Sequence, residues 1–272
     1  MPVNVLVVIK GHPYDYNAFH AIFDQTPSLN STFVEQPAAQ VLLRPENLSA
    51  YEAVFFYDMW GIPRDGGDGA SQPSADYRRS IEAALDAGVG FVLSNHALVQ
   101  WPEWPLWREI SGGSFMLQEG MLRGGMVPGS GYRGGAGEPE RNARHFLSPA
   151  MPGHPVLAGL GDGFEIEDEI YLKTAGFESD PDIIPLLRSD YAFTQANFNP
   201  PPLAPSAEKA NWTHADGSNL IAWAKRTRKS PVVAMDCGDG PPAYANPAFR
   251  KFVENALHWV ASPEAKAWAA ER

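Results

Sequence analysis

Histidine and carboxylate side chains follow several of the predicted strands in this chain of 272 residues. His12 follows the first predicted strand, Asp58 the third and His96 the fourth. The carboxyl ends of parallel strands meet at one edge of a sheet, where ligands bind. A histidine at a strand-to-helix corner can act as an acid, a base or a metal ligand near neutral pH. We therefore expect His96 to be functional, whereas Asp236 and Asp239 lie in a Gly/Pro turn and favour a turn role.

An acidic segment and two tryptophans add further candidates. Glu165, Glu167 and Glu169 alternate along one predicted strand and would share a face of it. Such a face needs a cation or water beside it, or it is a charged, solvated edge that discourages aggregation. Trp60 and Trp104 come just after strand ends, where a flat ring could stack on a sugar or pack onto the sheet. Both pairs of alternatives remain open at this point.

Alternating strands and helices must position these side chains. Strands are predicted for residues 3–9, 32–35, 53–57, 89–94, 164–172, 183–187, 220–224 and 231–235. Helices are predicted for residues 17–24, 74–87 and 247–261, and residues 95–110 are predicted as helix or turns. Ser74 and Asn246 are the expected N-caps. The order predicts an α/β fold built from βαβ units with right-handed crossovers.

Stretches rich in glycine, proline and asparagine interrupt this order. We predict loops for residues 61–73, and long loops over the sheet for residues 112–137 and 193–205. The two long loops are expected to be lids over a substrate or arms that contact a second subunit. No compositional break marks a second domain, so residues 1–272 are expected to form one domain.

Composition restricts the class of partner and the location. A net charge of -11 argues against nucleic acid or an anionic membrane as a partner. Hydrophobic residues at 44% and charged residues at 19% favour a folded core over disorder. We find no signal-peptide pattern and no apolar run of membrane-spanning length, and therefore expect a soluble, cytoplasmic protein. The single cysteine, Cys237, excludes an internal disulfide.

Several segments together resemble the ThuA-like (trehalose-utilisation) family of the class I glutamine amidotransferase-like superfamily. The matching segments are Gly11-His12 with the following run that contains Tyr14, Tyr57-Asp58, residues 91–98 and 101–104, residues 154–160, residues 164–171, and residues 246–250 leading to 258–259. Their order is that of the family, and they span most of the chain. The resemblance implies a flavodoxin-like, doubly wound, mostly parallel sheet, and it suggests a homo-oligomer.

The resemblance also changes the interpretation of individual residues. His96 falls on the family's corner histidine, and residues 168–171 fall on its Asp-Glu-Leu-Tyr motif, which makes Glu169 a site candidate. Asn95 stands where some members have the first histidine of a pair, and Asp239 where many have Gly-His. If the family binds a metal through these histidines, this chain binds it differently or lacks it. Amidotransferase activity is not expected, because the corner has no nucleophilic cysteine.

The resemblance implies a carbohydrate-metabolism enzyme that acts on a sugar or keto-sugar, and with these residues we expect it to act by proton transfer, as an isomerase, epimerase or lyase. His96 and Glu169 are the predicted catalytic residues. The polariser of the carbonyl oxygen would be the other of these two, His12 or a divalent metal ion. The predicted substrate-binding residues are His12, Tyr14, Asp58, Trp60, Asn95, Trp104 and Tyr171.

Two other classes of function fit the same residues. One is a non-catalytic sugar-binding or regulatory module that uses the same crevice. The other is a metal-dependent hydrolase with His12, His96 and Glu169 as metal ligands.

Overall fold

Strands and helices alternate through residues 1–111 of the computed structural model, which describes residues 1–62, 72–135 and 138–271. The strands are β1 (Val3–Ile9), β2 (Leu29–Glu35), β3 (Ala53–Phe56), β4 (Gly90–Ser94), β5 (Gly120–Leu122), β6 (Gly125–Val127), β7 (Gly131–Arg133), β8 (Ala143–Pro149), β9 (Phe164–Asp168), β10 (Ile170–Leu172), β11 (Ile183–Ser189), β12 (Leu220–Thr227) and β13 (Ser230–Met235). The α-helices are α1 (Tyr16–Asp24), α2 (Ala39–Leu42), α3 (Pro45–Leu48), α4 (Ala75–Asp86), α5 (Pro105–Ser111), α6 (Ser206–Ala210), α7 (Pro241–Ala245), α8 (Pro247–Ala261) and α9 (Pro263–Ala270).

Within the described residues, nine strands form one sheet in the order β2-β1-β3-β4-β13-β12-β11-β8-β9. The first five of these strands are parallel. The other four each run antiparallel to the strand before them in the sheet. Because the direction alternates there, β11 and β9 again point the same way as the parallel strands. The α/β fold with a large, mostly parallel sheet is therefore confirmed, and the antiparallel extension is a feature that the sequence analysis did not predict.

Helices cover both faces of the sheet, as expected for a doubly wound fold. Along β1, Val7 belongs to the apolar cluster that contains Phe19 of α1 and Phe252 of α8. Its neighbour Leu6 belongs to the cluster on the other face, with Trp107 of α5. This alternation explains the continuous apolar sequence of β1, since a central parallel strand is buried on both sides. None of the helices in the described residues has the length and apolar composition needed to cross a membrane.

The predicted helix caps are present. Helix α8 spans the predicted residues 247–261, and the Asn246 side chain accepts hydrogen bonds from the N–H groups of Ala248 and Phe249. Helix α4 begins after Ser74, whose side chain accepts from the N–H of Tyr77. A side-chain cap satisfies backbone donors that have no partner within the helix.

The structure differs from the prediction in the glycine-rich middle of the chain. The stretch 112–137, predicted as a loop, contains a hairpin of β5 and β6, and β7, which pairs with β10. The predicted strand 164–172 breaks at Glu169, because β9 pairs with β8 in the large sheet whereas β10 pairs with β7 outside it. Residues 63–71 of the predicted loop 61–73, and residues 136–137, lie outside the described part of the chain.

Gly90 in β4 provides a test of how closely the sheet and α8 must approach. A Cβ atom at Gly90 would lie 2.3 Å from the carbonyl oxygen of Val260. Gly90→Ala must push α8 away from β4, so we expect it to lower the free energy of unfolding by about 1–3 kcal/mol. Urea unfolding measures this change. Gly125→Ala is the control, since a Cβ there meets nothing closer than 3.9 Å, and should change the free energy of unfolding by less than about 0.5 kcal/mol. Equal losses in both variants would contradict the close-contact explanation.

Candidate functional site

A sharp turn after β4 carries His96 to the carboxyl edge of the sheet. Asn95 has a φ of 44°, in the left-handed region that asparagine tolerates better than most residues. Its side-chain amide donates to the carbonyl oxygen of Asp236 at 2.7 Å, and its Oδ1 accepts from the Tyr171 hydroxyl at 3.0 Å. These two bonds hold the turn from which the His96 side chain extends into the site.

Three other titratable side chains surround His96. Its Nε2 lies 3.9 Å from Oε2 of Glu169, and its Nδ1 lies 3.9 Å from Oδ1 of Asp239. The ring of His12 stacks against the ring of His96 at a centroid distance of 3.6 Å. The ends of β1, β4, β9 and β13 therefore place two imidazoles and two carboxyl groups in one cluster.

The Asp168 carboxyl group fixes the two acidic side chains of this cluster. Its Oδ1 accepts from the N–H groups of Glu169 and Asp239, at 2.9 and 3.0 Å. Its Oδ2 accepts from the N–H of Gly238 at 2.6 Å. Asp168 thereby joins the break between β9 and β10 to the turn after β13. This contact sets Glu169 and Asp239 on two sides of His96.

Glu169 and Asn95 share one hydroxyl group. The Tyr171 oxygen lies 2.8 Å from Oε2 of Glu169 and 3.0 Å from Oδ1 of Asn95. A phenol has one proton, so Tyr171 donates to only one of these acceptors at a time. If Glu169 is protonated, it can donate to Tyr171 while Tyr171 donates to Asn95. The arrangement therefore accommodates Glu169 with or without a proton.

Burial makes Glu169 a stronger base than an exposed glutamate. Its side chain is nearly enclosed, and this burial raises the pKa well above the ordinary value, with the nearby Asp239 adding to the effect. The Tyr171 hydrogen bond acts in the opposite direction. Glu169 therefore takes up a proton more readily than a carboxylate in water.

His12 is neutral in this environment. Burial, together with the nearby His96, lowers the pKa of His12 to about 3. Its Nε2 lies 3.1 Å from the carbonyl oxygen of Tyr57, and its Nδ1 lies 3.2 Å from that of Pro13. A neutral imidazole donates from one nitrogen only, so the other presents a lone pair.

His96 and Glu169 open onto a cavity of about 200 Å³ whose lining is largely apolar. Gly134 and Gly135 form part of its wall, and a Cβ at Gly135, where φ is 90°, would lie 2.7 Å from Oε1 of Glu169. The other lining residues are Met59, Val99, Phe115, Leu117, Tyr132, Glu138, Tyr171 and Pro202. The close approach explains why glycine is required at position 135.

The two tryptophans predicted to bind a sugar lie elsewhere. Trp104 is buried, and its ring stacks on Trp107 at a centroid distance of 6.1 Å. Trp60 is half-buried, and the Lys10 ammonium group lies 5.7 Å from its ring centroid. The described residues that line the cavity include neither tryptophan; its aromatic surfaces come from Phe115, Tyr132 and Tyr171.

Asp58 and Tyr14 also occupy positions outside the cavity lining. The buried Asp58 carboxyl accepts from the side-chain amides of Gln36 at 3.0 Å and Gln100 at 3.2 Å. Tyr14 lies behind His12, at a ring-centroid distance of 5.4 Å. Of the predicted substrate-binding residues, Tyr171 lines the cavity, and Asn95 and His12 support the side chains that do.

Sequence analysis missed part of the site. It favoured a turn role for Asp239, and it named no lining residue from the two long loops. The signal for Asp239 was its place after the last strand of the sheet, which is the same signal that identified His96. The signal for Phe115, Tyr132 and Pro202 was only that they lie in or beside long loops, which often carry function.

Two side chains that could act as nucleophiles, those of Ser94 and Cys237, are buried in the core. The Ser94 hydroxyl donates to the carbonyl oxygen of Cys237 at 3.0 Å. Cys237 is itself buried, and burial raises the pKa of its thiol. A buried thiol with a raised pKa is unreactive, so this geometry gives no support to nucleophilic catalysis.

A doubly wound α/β sheet that carries its candidate site at the carboxyl ends of the strands defines a protein with the class I glutamine amidotransferase-like fold. The chain belongs to the ThuA family, described as trehalose utilisation, whose model matches residues 4–260. That description links the family to carbohydrate metabolism. No curated protein matches the chain.

Solved structures share the fold at low identity. A thua-like protein from Parabacteroides merdae is 15% identical, with 96% of this chain and 91% of that chain covered and a TM-score of 0.64. A thua-like protein from Bacteroides uniformis is 16% identical, with 95% and 91% covered and a TM-score of 0.62. PurLQS from Thermotoga maritima is 12% identical, with 95% and 99% covered and a TM-score of 0.51. At these identities the similarity shows the fold alone.

The buried Asp58 carboxyl predicts a pH-dependent stability. Burial raises the pKa of Asp58 from 3.8 to about 7 in the folded protein. Between these values the folded state holds a proton that the unfolded state has lost, so stability falls as the pH rises, by up to about 1.4 kcal/mol per pH unit. Asp58→Asn removes this titration and can still hydrogen-bond to Gln36 and Gln100.

We therefore expect the unfolding free energy of the wild type to fall relative to that of Asp58→Asn by about 2 kcal/mol between about pH 5 and pH 6.5. Urea unfolding at both pH values measures this change. A difference between the two proteins that stays constant with pH would show that Asp58 does not titrate in this range.

Proposed function

We propose that this protein is a carbohydrate-metabolism enzyme that moves a proton next to the carbonyl group of a keto-sugar. The family description supports a sugar as the substrate class. The cavity of about 200 Å³ is smaller than the roughly 300–1,000 Å³ of pockets for drug-sized ligands, which favours a ligand of about one sugar ring.

The hydroxyl that Glu169 and Asn95 share is the observation that carries this proposal. A group that takes up and returns a proton must be stable in both states. The Tyr171 hydroxyl can donate to Glu169 when it is charged, and accept from Glu169 when it is protonated. Glu169 also lines the cavity, so its oxygens can reach a bound ligand.

The proposed reaction needs no oxidant or reductant. Glu169 takes a proton from the carbon next to the carbonyl, and the electron pair of that C–H bond moves onto the carbonyl oxygen. The His96 side of the site stabilises the resulting negative charge. In an isomerisation the proton returns to the former carbonyl carbon, while the proton of the adjacent hydroxyl moves to the former carbonyl oxygen. In an epimerisation water protonates the opposite face of the same carbon, and Glu169 gives its proton to water. In a lyase reaction the leaving group on the next carbon departs with its bonding electron pair and takes the proton from Glu169.

Glu169→Gln tests the assignment of the base. Since the amide cannot accept the proton, we expect exchange of the carbon-bound proton to slow by about 10²–10⁴-fold. Proton NMR in deuterated water, with a panel of keto-sugars and keto-glycosides, measures this exchange directly. Glu165→Gln is the matched control, because Glu165 lies on β9, the strand that ends directly before Glu169, and has an exposed side chain.

The control should exchange at the wild-type rate. Full exchange in Glu169→Gln would overturn the role of Glu169. A sugar that binds the wild type with no exchange in any protein would instead favour the non-catalytic sugar-binding module.

Tyr171→Phe tests the shared hydroxyl. Loss of a hydrogen bond to a charged group costs about 1.5–3 kcal/mol, so we expect the exchange rate to fall by about 10- to 150-fold with the reaction retained. The same NMR assay measures this rate at saturating substrate, which separates turnover from binding. A wild-type rate in Tyr171→Phe would show that the hydroxyl has no part in the proton transfer.

A further inference from the structure

Three side chains of the cluster could hold one metal ion between them. His12, His96 and Asp239 each offer a ligand atom, and these atoms all lie within 4.8 Å of one another. They come from the ends of β1, β4 and β13, which the sheet holds side by side. This set differs from the predicted one, in which Glu169 was the third ligand.

The separations are those of groups on either side of an ion. Nδ1 of His96 and Oδ1 of Asp239 are 3.9 Å apart, which is longer than a hydrogen bond. Two ligands that each lie about 2.1 Å from zinc are separated by at most about 4.2 Å. All the ligand atoms lie within 4.8 Å of one another, so loading requires at most a small contraction of the cluster.

The histidine rings must also turn. They stack at 3.6 Å with an angle of 30° between their planes, whereas a metal lies in the plane of each ring that binds it. Rotation about the terminal torsion of histidine is broad, so this adjustment is a local one. Both nitrogens of His12 face a carbonyl oxygen, that of Pro13 for Nδ1 and that of Tyr57 for Nε2. The single N–H of the neutral ring can donate to one of them, and the same rotation must turn the other nitrogen from its carbonyl oxygen towards the ion. Such backbone partners commonly orient metal-binding histidines.

We propose that His12, His96 and Asp239 bind one divalent transition-metal ion, such as Zn²⁺ or Mn²⁺, at the carboxyl edge of the sheet. Two imidazoles and one carboxylate form the donor set of catalytic zinc and non-haem iron sites, which leave positions open for a substrate. When bound, the ion would polarise the carbonyl oxygen of the substrate. This catalytic role rests on the proposed function, whereas the binding of the ion does not.

Glu169 keeps a separate position in this arrangement. It faces Nε2 of His96, on the side of the ring away from Asp239. From there it can orient the ring that binds the metal, and it can still reach the cavity as a base. A carbonyl group between the ion and Glu169 would meet a polariser on one side and a base on the other.

Metal titration of the full chain tests the proposal. The protein is purified without an affinity tag, stripped with EDTA and titrated with Zn²⁺ and Mn²⁺ by calorimetry, and with Co²⁺ by visible absorption. We expect one ion per chain. Asp239→Asn and His12→Gln should each weaken binding by at least about 100-fold, since loss of an outer-shell partner alone costs about 10- to 100-fold.

His258→Gln is the matched control, because it removes a histidine from the last turn of α8 and should leave binding unchanged. Circular dichroism identifies any variant that fails to fold. If Asp239→Asn or His12→Gln fails to fold, metal binding by the other of these two variants tests the site. Absence of bound metal in the wild type, or equal binding in wild type, Asp239→Asn and His12→Gln, overturns the site.

The two proposals fail in different ways. An ion that is lost in the ligand variants, together with no exchange of any keto-sugar, supports the metal site and counts against the proposed function. Full exchange in stripped protein that binds no added ion overturns the metal site and leaves the proposed function standing.

Discussion

The geometry of the site depends on the Asp168 carboxyl group. It is fully buried, and a buried polar group is costly unless its hydrogen bonds are made. Three backbone N–H groups from two distant segments make them. The carboxyl group can therefore be buried only when the break after β9 and the turn after β13 adopt their observed positions. The side chains of Glu169 and Asp239 extend from these same two segments, so their placement follows from it.

A second buried contact joins the end of β10 to the end of β13. Lys173, directly after β10, forms an ion pair with Asp236, directly after β13. The aromatic rings of Trp223 and Phe177 lie 5.4 and 5.8 Å from the ammonium group, which compensates part of the cost of burying it. Burial raises the pKa of Asp236 to about 6, and Lys173 acts against this rise. The hydrogen bonds of Asp168 and this ion pair both fix the segment after β13 that carries Asp239. The Asp236 carbonyl oxygen in that segment also accepts a hydrogen bond from the Asn95 side-chain amide.

The strands and helices that could be predicted from the sequence are those whose signals come from neighbouring residues. The apolar run of β1 and the Asn246-Pro247 start of α8 depend on neighbouring residues, and both agree with the structure. The corner position of His96 was readable in the same way. The short strands β5, β6 and β7 were not, because three-residue strands rich in glycine show no hydrophobic periodicity. Their partners, not their own residues, determine that they are strands.

The role of a side chain whose partners are distant in the sequence could not be predicted either. Asp58 follows a strand as His96 does, yet Gln36 and Gln100 occupy its oxygens. Trp104 could have faced a ligand or the core, and its packing against Trp107 decides between them. Asp239 shows a further difficulty, since aspartate serves turns and ligand binding equally well. The residue type alone does not separate these uses.

The position of β13 in the sheet has a consequence for how the protein is made. The last strand of the sequence lies between β4 and β12, in the middle of the sheet, and it brings Asp239 to residues near the start of the chain. Domains begin to fold while the ribosome is still extending the chain. Here β1, β3 and β4 are synthesised long before the strand that completes the cluster. A chain arrested before residue 239 cannot assemble the cluster, so the nascent protein has no complete site until its final core strand emerges.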